Sequence, residues 1–213
     1  NGGVTERHLM YALALELEKQ VGKGQPMIDK LTSLGMNLSE KQKTMLLDTE
    51  YPFYAYDVLG MLKGTFVPMI FIDATDECPK LKDMVKLCKD VDAFLCYAYL
   101  GDVGDSVTGD KKAQKFEDDY IDELFATLKD CGFSAVTYMP SRNTAEQLAL
   151  IMKLCHENGL YEISGEDINS PRQSFKCKAL DDPNFGHLID ATYTLIGYEN
   201  AATKDLCAAR QEY

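Results

Sequence analysis

Imidazole is scarce in this chain: His8, His156 and His187 are its only histidines in 213 residues. No Cys–His or Ser–His–Asp arrangement is visible from spacing, although the members of such triads need not be close in sequence. Cations are also in deficit, with 22 Lys+Arg against 34 Asp+Glu and a formal net charge of −12. That balance argues against nucleic acid as the partner, because such binding draws its affinity from Lys and Arg set against phosphates. No run approaches the roughly 20 apolar residues of a membrane-spanning helix, so no membrane role is expected. The 7 cysteines include no Cys-x-x-Cys pair, and their odd number suggests small buried thiols in a reducing, cytoplasmic setting rather than a disulfide framework or a zinc knuckle. An initiator methionine is missing, as are the basic and apolar regions of a signal peptide. Asn1-Gly2-Gly3 therefore reads as the start of a piece cut from a longer chain.

What the chain does have is 46% hydrophobic residues, enough for a sizeable core in one large domain or two small ones. Residues 1–65 read as helical. Leu9, Met10, Leu13, Ala14 and Leu17 recur at the helical period across Thr5 to Gln20. Gly22-Lys23-Gly24 stops that helix, Gln25-Pro26 opens a second to Leu34, and Gly35 ends it. Ser39 with Gln42 forms a capping-box pattern for a third helix to Leu47, and Tyr51 to Leu62 is a fourth. From residue 66 to 213 the pattern alternates. Phe66–Ile72, Ala93–Leu100, Ser134–Met139 and Leu160–Ser164 are short apolar runs that read as buried strands. Helices follow at Pro79 to Cys88, Ala113 to Lys129, Asn143 to Glu157 (capped by Asn143 with Glu146) and Phe185 to Tyr198. Four strand–helix units predict an α/β fold with parallel pairing and right-handed crossovers, either an open sheet or part of a TIM-like (β/α) barrel.

In both architectures chemistry gathers in the loops after the strands. The first such loop, Asp73-Ala74-Thr75-Asp76-Glu77, offers carboxylates to a hard cation or serves as a turn and helix cap. The second, Gly101 to Lys112, carries Asp102, Asp105 and Asp110 among glycines without Walker spacing, and can meet an anion or remain a polar surface loop. The third puts Arg142 before a helix N-terminus, where it meets a phosphate or carboxylate or is simply a surface arginine. The fourth, Gly165-Glu166-Asp167-Ile168-Asn169-Ser170-Pro171-Arg172-Gln173, is the most distinctive, with polar and ionisable groups crowded where a buried strand ends. Of the histidines, His8 has Glu6 on a different helix face, His156 suits a helix C-terminus, and His187, near the start of the last helix, fits a cap or packing role or reaches a strand-end site.

These segments together resemble the polymerase-and-histidinol-phosphatase (PHP) family of metal-dependent phosphoesterases. The resemblance is carried by Gly2 to Leu9, Tyr99 to Ser106, Ile163 to Gln173 and Phe185 to Ala191. It implies a distorted (β/α) barrel with Zn, Mn, Fe or Mg at the strand ends and a small anionic, phosphorylated substrate. Asp167 matches a family ligand, and Glu6, His8, Asp76 and His187 are the further ligands it suggests. Arg142, Glu166, Asn169, Arg172, Asp102 and Asp105 would shape the substrate pocket. Asn169 and Tyr99 stand where the family has histidines, and its N-terminal His-x-His motif is absent. The resemblance thus implies a C-terminal part of such a hydrolase, inactive on its own with or without metal, which self-associates through exposed barrel edges. The alternatives are a degenerate barrel that binds a metabolite or protein without catalysis, and an unrelated open α/β enzyme that uses Mg²⁺.

Overall fold

The computed structural model describes residues 3–70, 75, 77–91, 93–103 and 115–212, which divide into two compact units. The first comprises Asn1–Thr75 with Asn169–Gln173. Its helices are α1 (Glu6–Val21), α2 (Gln25–Ser33), α3 (Glu40–Leu47) and α4 (Tyr54–Phe66). The caps explain the boundaries. Ser39 Oγ accepts from the Gln42 N–H while the Gln42 side chain takes the Ser39 N–H, the reciprocal box that starts α3. At α1 the partner of Thr5 is His8, whose Nδ1 accepts the Thr5 N–H at 3.1 Å. The face of α1 that packs is narrower than its sequence predicts: Met10, Ala14 and Leu17 are buried, whereas Leu9 and Leu13 are exposed. The core of this unit is Met27, Leu31, Leu46, Tyr54, Val58 and Leu62, each at most 1% exposed.

The segment expected to be the first strand belongs to this unit, and its described part, Phe66 to Ile70, is not a strand. Phe66 closes α4, Val67–Met69 forms a turn of 3-10 helix, and Met69 and Ile70 are exposed. An unbroken apolar run fits a helix as well as a buried strand, and here the spacing Val58, Leu62, Phe66 prolongs the buried stripe of α4. Residues 71 and 72 lie outside the described residues.

The returning segment is pinned to α4 by Arg172. Its Nε lies 2.9 Å and its Nη2 2.7 Å from Asp57 Oδ2, its guanidinium stacks 3.8 Å above the Tyr51 ring, and Asp48 stands 3.7 Å away. Arg172 supplies Asp57, whose side chain is 5% exposed, with the charged donors that make its burial tolerable.

The second unit, Asp76–Ile168 with Ser174–Tyr213, is mixed α/β. It runs α5 (Leu81–Val91), β1 (Cys96–Ala98), α6 (Ile121–Cys131), β2 (Ala135–Tyr138), α7 (Ala145–Asn158), β3 (Tyr161–Ser164), α8 (Gly186–Ala202) and α9 (Leu206–Glu212). The strands form an open parallel sheet in the order β1-β2-β3, with Cys96 opposite Ala135 and Val136 opposite Glu162. Three strands, rather than the four expected, are present among the described residues. Gly132 and Gly159, at φ of 78° and 64°, end α6 and α7 in the left-handed conformation that glycine adopts without strain. Two further boundaries differ from the sequence reading. The box opening α7 is Thr144 with Gln147, not Asn143 with Glu146. The regular part of α6 begins only at Ile121, because Glu117 and Asp118 ahead of it are engaged with the loop after β1.

Leu128, Val136, Tyr138, Ile151, Cys155 and Leu188 fill the core of this unit. Burial, with the nearby Glu162 charge, pushes the Cys155 thiol up to about 12.

Two outcomes are expected. Arg172→Met strips Asp57 of its charged partner, and loss of such a pair costs about 2–3 kcal/mol, so hydrogen exchange of the α4 amides should accelerate; unchanged exchange would contradict the pinning role. Alkylation near pH 8 should modify the exposed Cys78 and Cys207 and spare Cys155 until urea is added, with peptide mass spectrometry as the readout.

Candidate anion site at the carboxyl edge of the sheet

Parallel strands deliver their following loops to one edge, and here that edge is organised by two consecutive carboxylates. Residues i and i+2 of a strand share a face, so Tyr97 and Tyr99 reach the same side. The Tyr97 hydroxyl donates to Glu117 Oε1 at 2.9 Å and the Tyr99 hydroxyl to Asp118 Oδ1 at 2.5 Å. Glu117, only 4% exposed, also accepts the Gly101 N–H at 2.9 Å and the Leu100 N–H at 3.4 Å. Asp118 takes the Asp102 N–H at 3.1 Å and Gln147 Nε2 at 2.6 Å. The buried carboxylate charge is met by amides and hydroxyls. Burial first, then these carboxylates, hold both tyrosines far above the usual phenol range, so they stay neutral donors.

Asp102 faces the other way. Its carboxylate accepts the Phe116 N–H at 2.6 Å and pairs with Lys115 at 3.1 Å. The Phe116 amide, then Lys115, holds it below the usual carboxylate range.

Arg142, between β2 and α7, brings a cation to this edge. Its Nε donates to the Leu100 carbonyl at 3.1 Å and its guanidinium lies 5.6 Å from the Phe116 ring centre. Its Nη2 is buried without a hydrogen-bond partner among the described residues. Asn143 fixes the same loop, donating to the Leu100 carbonyl at 2.7 Å and accepting the Met139 N–H. Glu166, after β3, receives the Ser141 N–H and hydroxyl, each at 2.6 Å. Beside these, Tyr138 at the end of β2 donates to Glu162 Oε2 at 2.7 Å, and His187 Nε2 lies 2.9 Å from the same hydroxyl.

The expected site residues are divided. Asp102, Arg142, Glu166, Asp167 and His187 belong to the second unit, whereas Glu6, His8, Asn169 and Arg172 belong to the first. Asp76 and Asp105 lie outside the described residues. Glu6 pairs with Lys63 at 2.8 Å, His8 caps α1, and the Asn169 carbonyl accepts the Tyr56 hydroxyl at 3.1 Å. Arg172, expected to meet substrate, is committed to Asp57. Glu117, Asp118, Gln147, Tyr138 and Glu162 were not singled out by the sequence. The one signal for them was Tyr97 and Tyr99 alternating along a strand that is followed by an acidic run at residues 117–119.

Among the described residues no group of three His, Cys, Asp or Glu side chains stands ready to hold a metal ion. The clamp's carboxylates are occupied by N–H and O–H donors. So engaged, Glu117 and Asp118 are poorly placed to serve as metal ligands. An open cavity of about 420 Å³ lies toward the opposite edge, where Leu95 and Ser134 precede β1 and β2, and Cys88, Phe94, Tyr198 and Arg210 also line it. No family model, curated protein or solved structure matches the chain.

The clamp makes a sharp prediction at Gly101. At φ +71°, an added Cβ would stand 2.7 Å from Asn143 Nδ2 and 2.8 Å from the Tyr99 hydroxyl. Gly101→Ala should therefore cost about 2–4 kcal/mol, from left-handed strain plus the clash. At Gly132, with φ +78° and nothing within 4 Å, the same change meets the strain alone, about 1–2 kcal/mol. Equal destabilisation in urea melts would show that the clamp is not rigid.

Proposed function

We propose that the carboxyl edge of the sheet in the second unit recognises a small phosphorylated anion, and that the groups described here bind it without turning it over. Arg142 is the observation that carries this reading. A buried guanidinium nitrogen with no acceptor costs about 1–3 kcal/mol, and a phosphate oxygen is the acceptor whose charge and geometry suit it. The first turn of α7 adds N–H groups and a favourable dipole close to the same residue. In a chain of net charge −12, an anion needs such a local cationic site. Titration calorimetry with phosphoserine and inorganic phosphate is expected to show saturable binding that weakens about tenfold or more in Arg142→Gln, the loss of one charge-assisted hydrogen bond. Equal affinity in the two proteins would refute the assignment.

A second reading keeps the full implication of the resemblance, part of a (β/α) barrel in a PHP-type metal-dependent phosphoesterase. It is favoured by Gly165-Glu166-Asp167 following β3 directly at the carboxyl edge, where the resemblance would put metal ligands. Stoichiometric Zn, Mn or Fe, with phosphoester hydrolysis that disappears in Asp167→Ala, would favour it over binding alone. A metal-free, inactive protein that still binds phosphoserine would favour the first.

A further inference from the structure

The open cavity of about 420 Å³ at the amino edge of the sheet shares no lining residue with the clamp or with the Arg142 site. Its volume falls in the roughly 300–1,000 Å³ range of small-molecule pockets. Local bonds build its walls. The Ala93 N–H donates to the Cys88 carbonyl at 2.8 Å, a turn that ends α5 and leaves its last residues beside Phe94 and Leu95, which lead into β1. The Leu95 carbonyl then accepts the Ser134 and Ala135 N–H groups at 2.9 and 3.2 Å, locking together the entries to β1 and β2. Tyr198 of α8 and Arg210 of α9 also face the space. The shorter of these helices is seated by its buried Ala209 and capped by Asp205, whose Oδ1 accepts the Cys207 and Ala208 N–H groups at 2.9 and 3.0 Å.

The charge of this lining is the reverse of the chain's. Lys89 and Arg210 supply two cations, and no Asp or Glu is among the described residues that line the cavity, although acids outnumber bases 34 to 22 in the sequence. Lys89 has no carboxylate partner among the described residues, its neighbour Asp90 being paired with Lys86 at 2.6 Å. Ala93, Phe94 and Leu95 give the same space an apolar side, and the Phe94 and Tyr198 rings are flat surfaces against which another ring can lie. Phe94 is 46% exposed, so a ligand that covers it removes apolar surface from water. Cations beside an apolar wall select molecules that carry both an anion and a ring. Inorganic phosphate offers only the first, and a neutral arene only the second. We infer that this cavity is a ligand site separate from the Arg142 edge, and that it takes a small aromatic carboxylate, the ring against Phe94 and the carboxylate toward Lys89 and Arg210.

The test uses the whole chain with anthranilate as the probe, whose fluorescence is read directly because the sequence has no tryptophan. Its titration is expected to saturate with a Kd of about 1 mM or tighter. Lys89→Glu changes an exposed side chain, so the fold is kept, and reversing that charge should weaken binding about threefold or more. Benzoate should displace the probe, whereas aniline, the same ring as anthranilate without the carboxylate, should not. Location is read without any variant: saturating anthranilate should slow alkylation of the half-buried Cys88, which lines the cavity, relative to the exposed Cys78. A titration that does not saturate, equal affinity in wild type and Lys89→Glu, displacement by aniline, or unslowed alkylation of Cys88 would each overturn the inference. Cys88 reports on this cavity and phosphoserine binding on Arg142, so either assignment can fail while the other stands.

Discussion

The second unit depends on a single electrostatic constraint: Glu117 is buried and its charge must be met. Among the described residues no lysine or arginine meets it. The carboxylate is satisfied by the backbone amides of Leu100 and Gly101 and by the Tyr97 hydroxyl, so the chain leaving β1 has to turn toward it. Asp118 repeats the arrangement one residue on, with Tyr99, Asp102 and Gln147. Gln147 joins the two ends of the loop system. Its oxygen accepts the Thr144 N–H that begins α7, and its nitrogen donates to Asp118 and to the Asp102 carbonyl. The start of α7 and the turn after β1 are thereby fixed to each other. Hydrogen bonds to charged groups contribute about 1.5–3 kcal/mol each, and an unmet carboxylate here would cost several times that. The edge therefore keeps one shape.

That shape decides which arginine is available. Arg142 and Arg172 both follow a strand, and in sequence they look equally suited to an anion. Arg172 is taken by Asp57, with which it forms a two-pronged contact, and by stacking on Tyr51. Its donors hold the Asn169–Gln173 segment in the first unit. Arg142 has one donor on the Leu100 carbonyl and another with no acceptor among the described residues. The difference comes from long-range partners, Asp57 being 115 positions away, and no local pattern encodes it.

The same distinction separates what was legible in the sequence from what was not. Ser39 with Gln42, Gly132, Gly159 and the three apolar runs that became β1, β2 and β3 are local signals, in which capping, left-handed glycine or period settles the outcome within a few residues. The helical stripe through Phe66 was local too, but it was read with the wrong period because an unbroken apolar run carries none. Asn143 and Thr144 are both good caps by composition. Thr144 takes the role because Asn143 is drawn to the Leu100 carbonyl, a tertiary contact. The clamp was illegible for the same reason: nothing near Glu117 in the chain announces that it will be buried against residues 97–101. Asp102 and Arg142 follow strands in the sequence and lie at the carboxyl edge in the fold, but no local pattern says which lone pairs and protons they have left.

Scarcity of imidazole now has a structural counterpart. Where histidines would supply ligands or bases at strand ends, this edge uses tyrosine–carboxylate pairs, and burial keeps those phenols neutral. Such pairs are good at holding shape and poor at exchanging protons, because each carboxylate already accepts three donors and each phenol's proton is already committed. Recruiting Glu117 or Asp118 to a cation would require giving up three donors apiece, at about 1.5–3 kcal/mol for each bond to a charged group. Chemistry at the edge is consequently left to a group that the clamp does not saturate, the Arg142 Nη2, which has no partner among the described residues. It is a permanent donor suited to an anion.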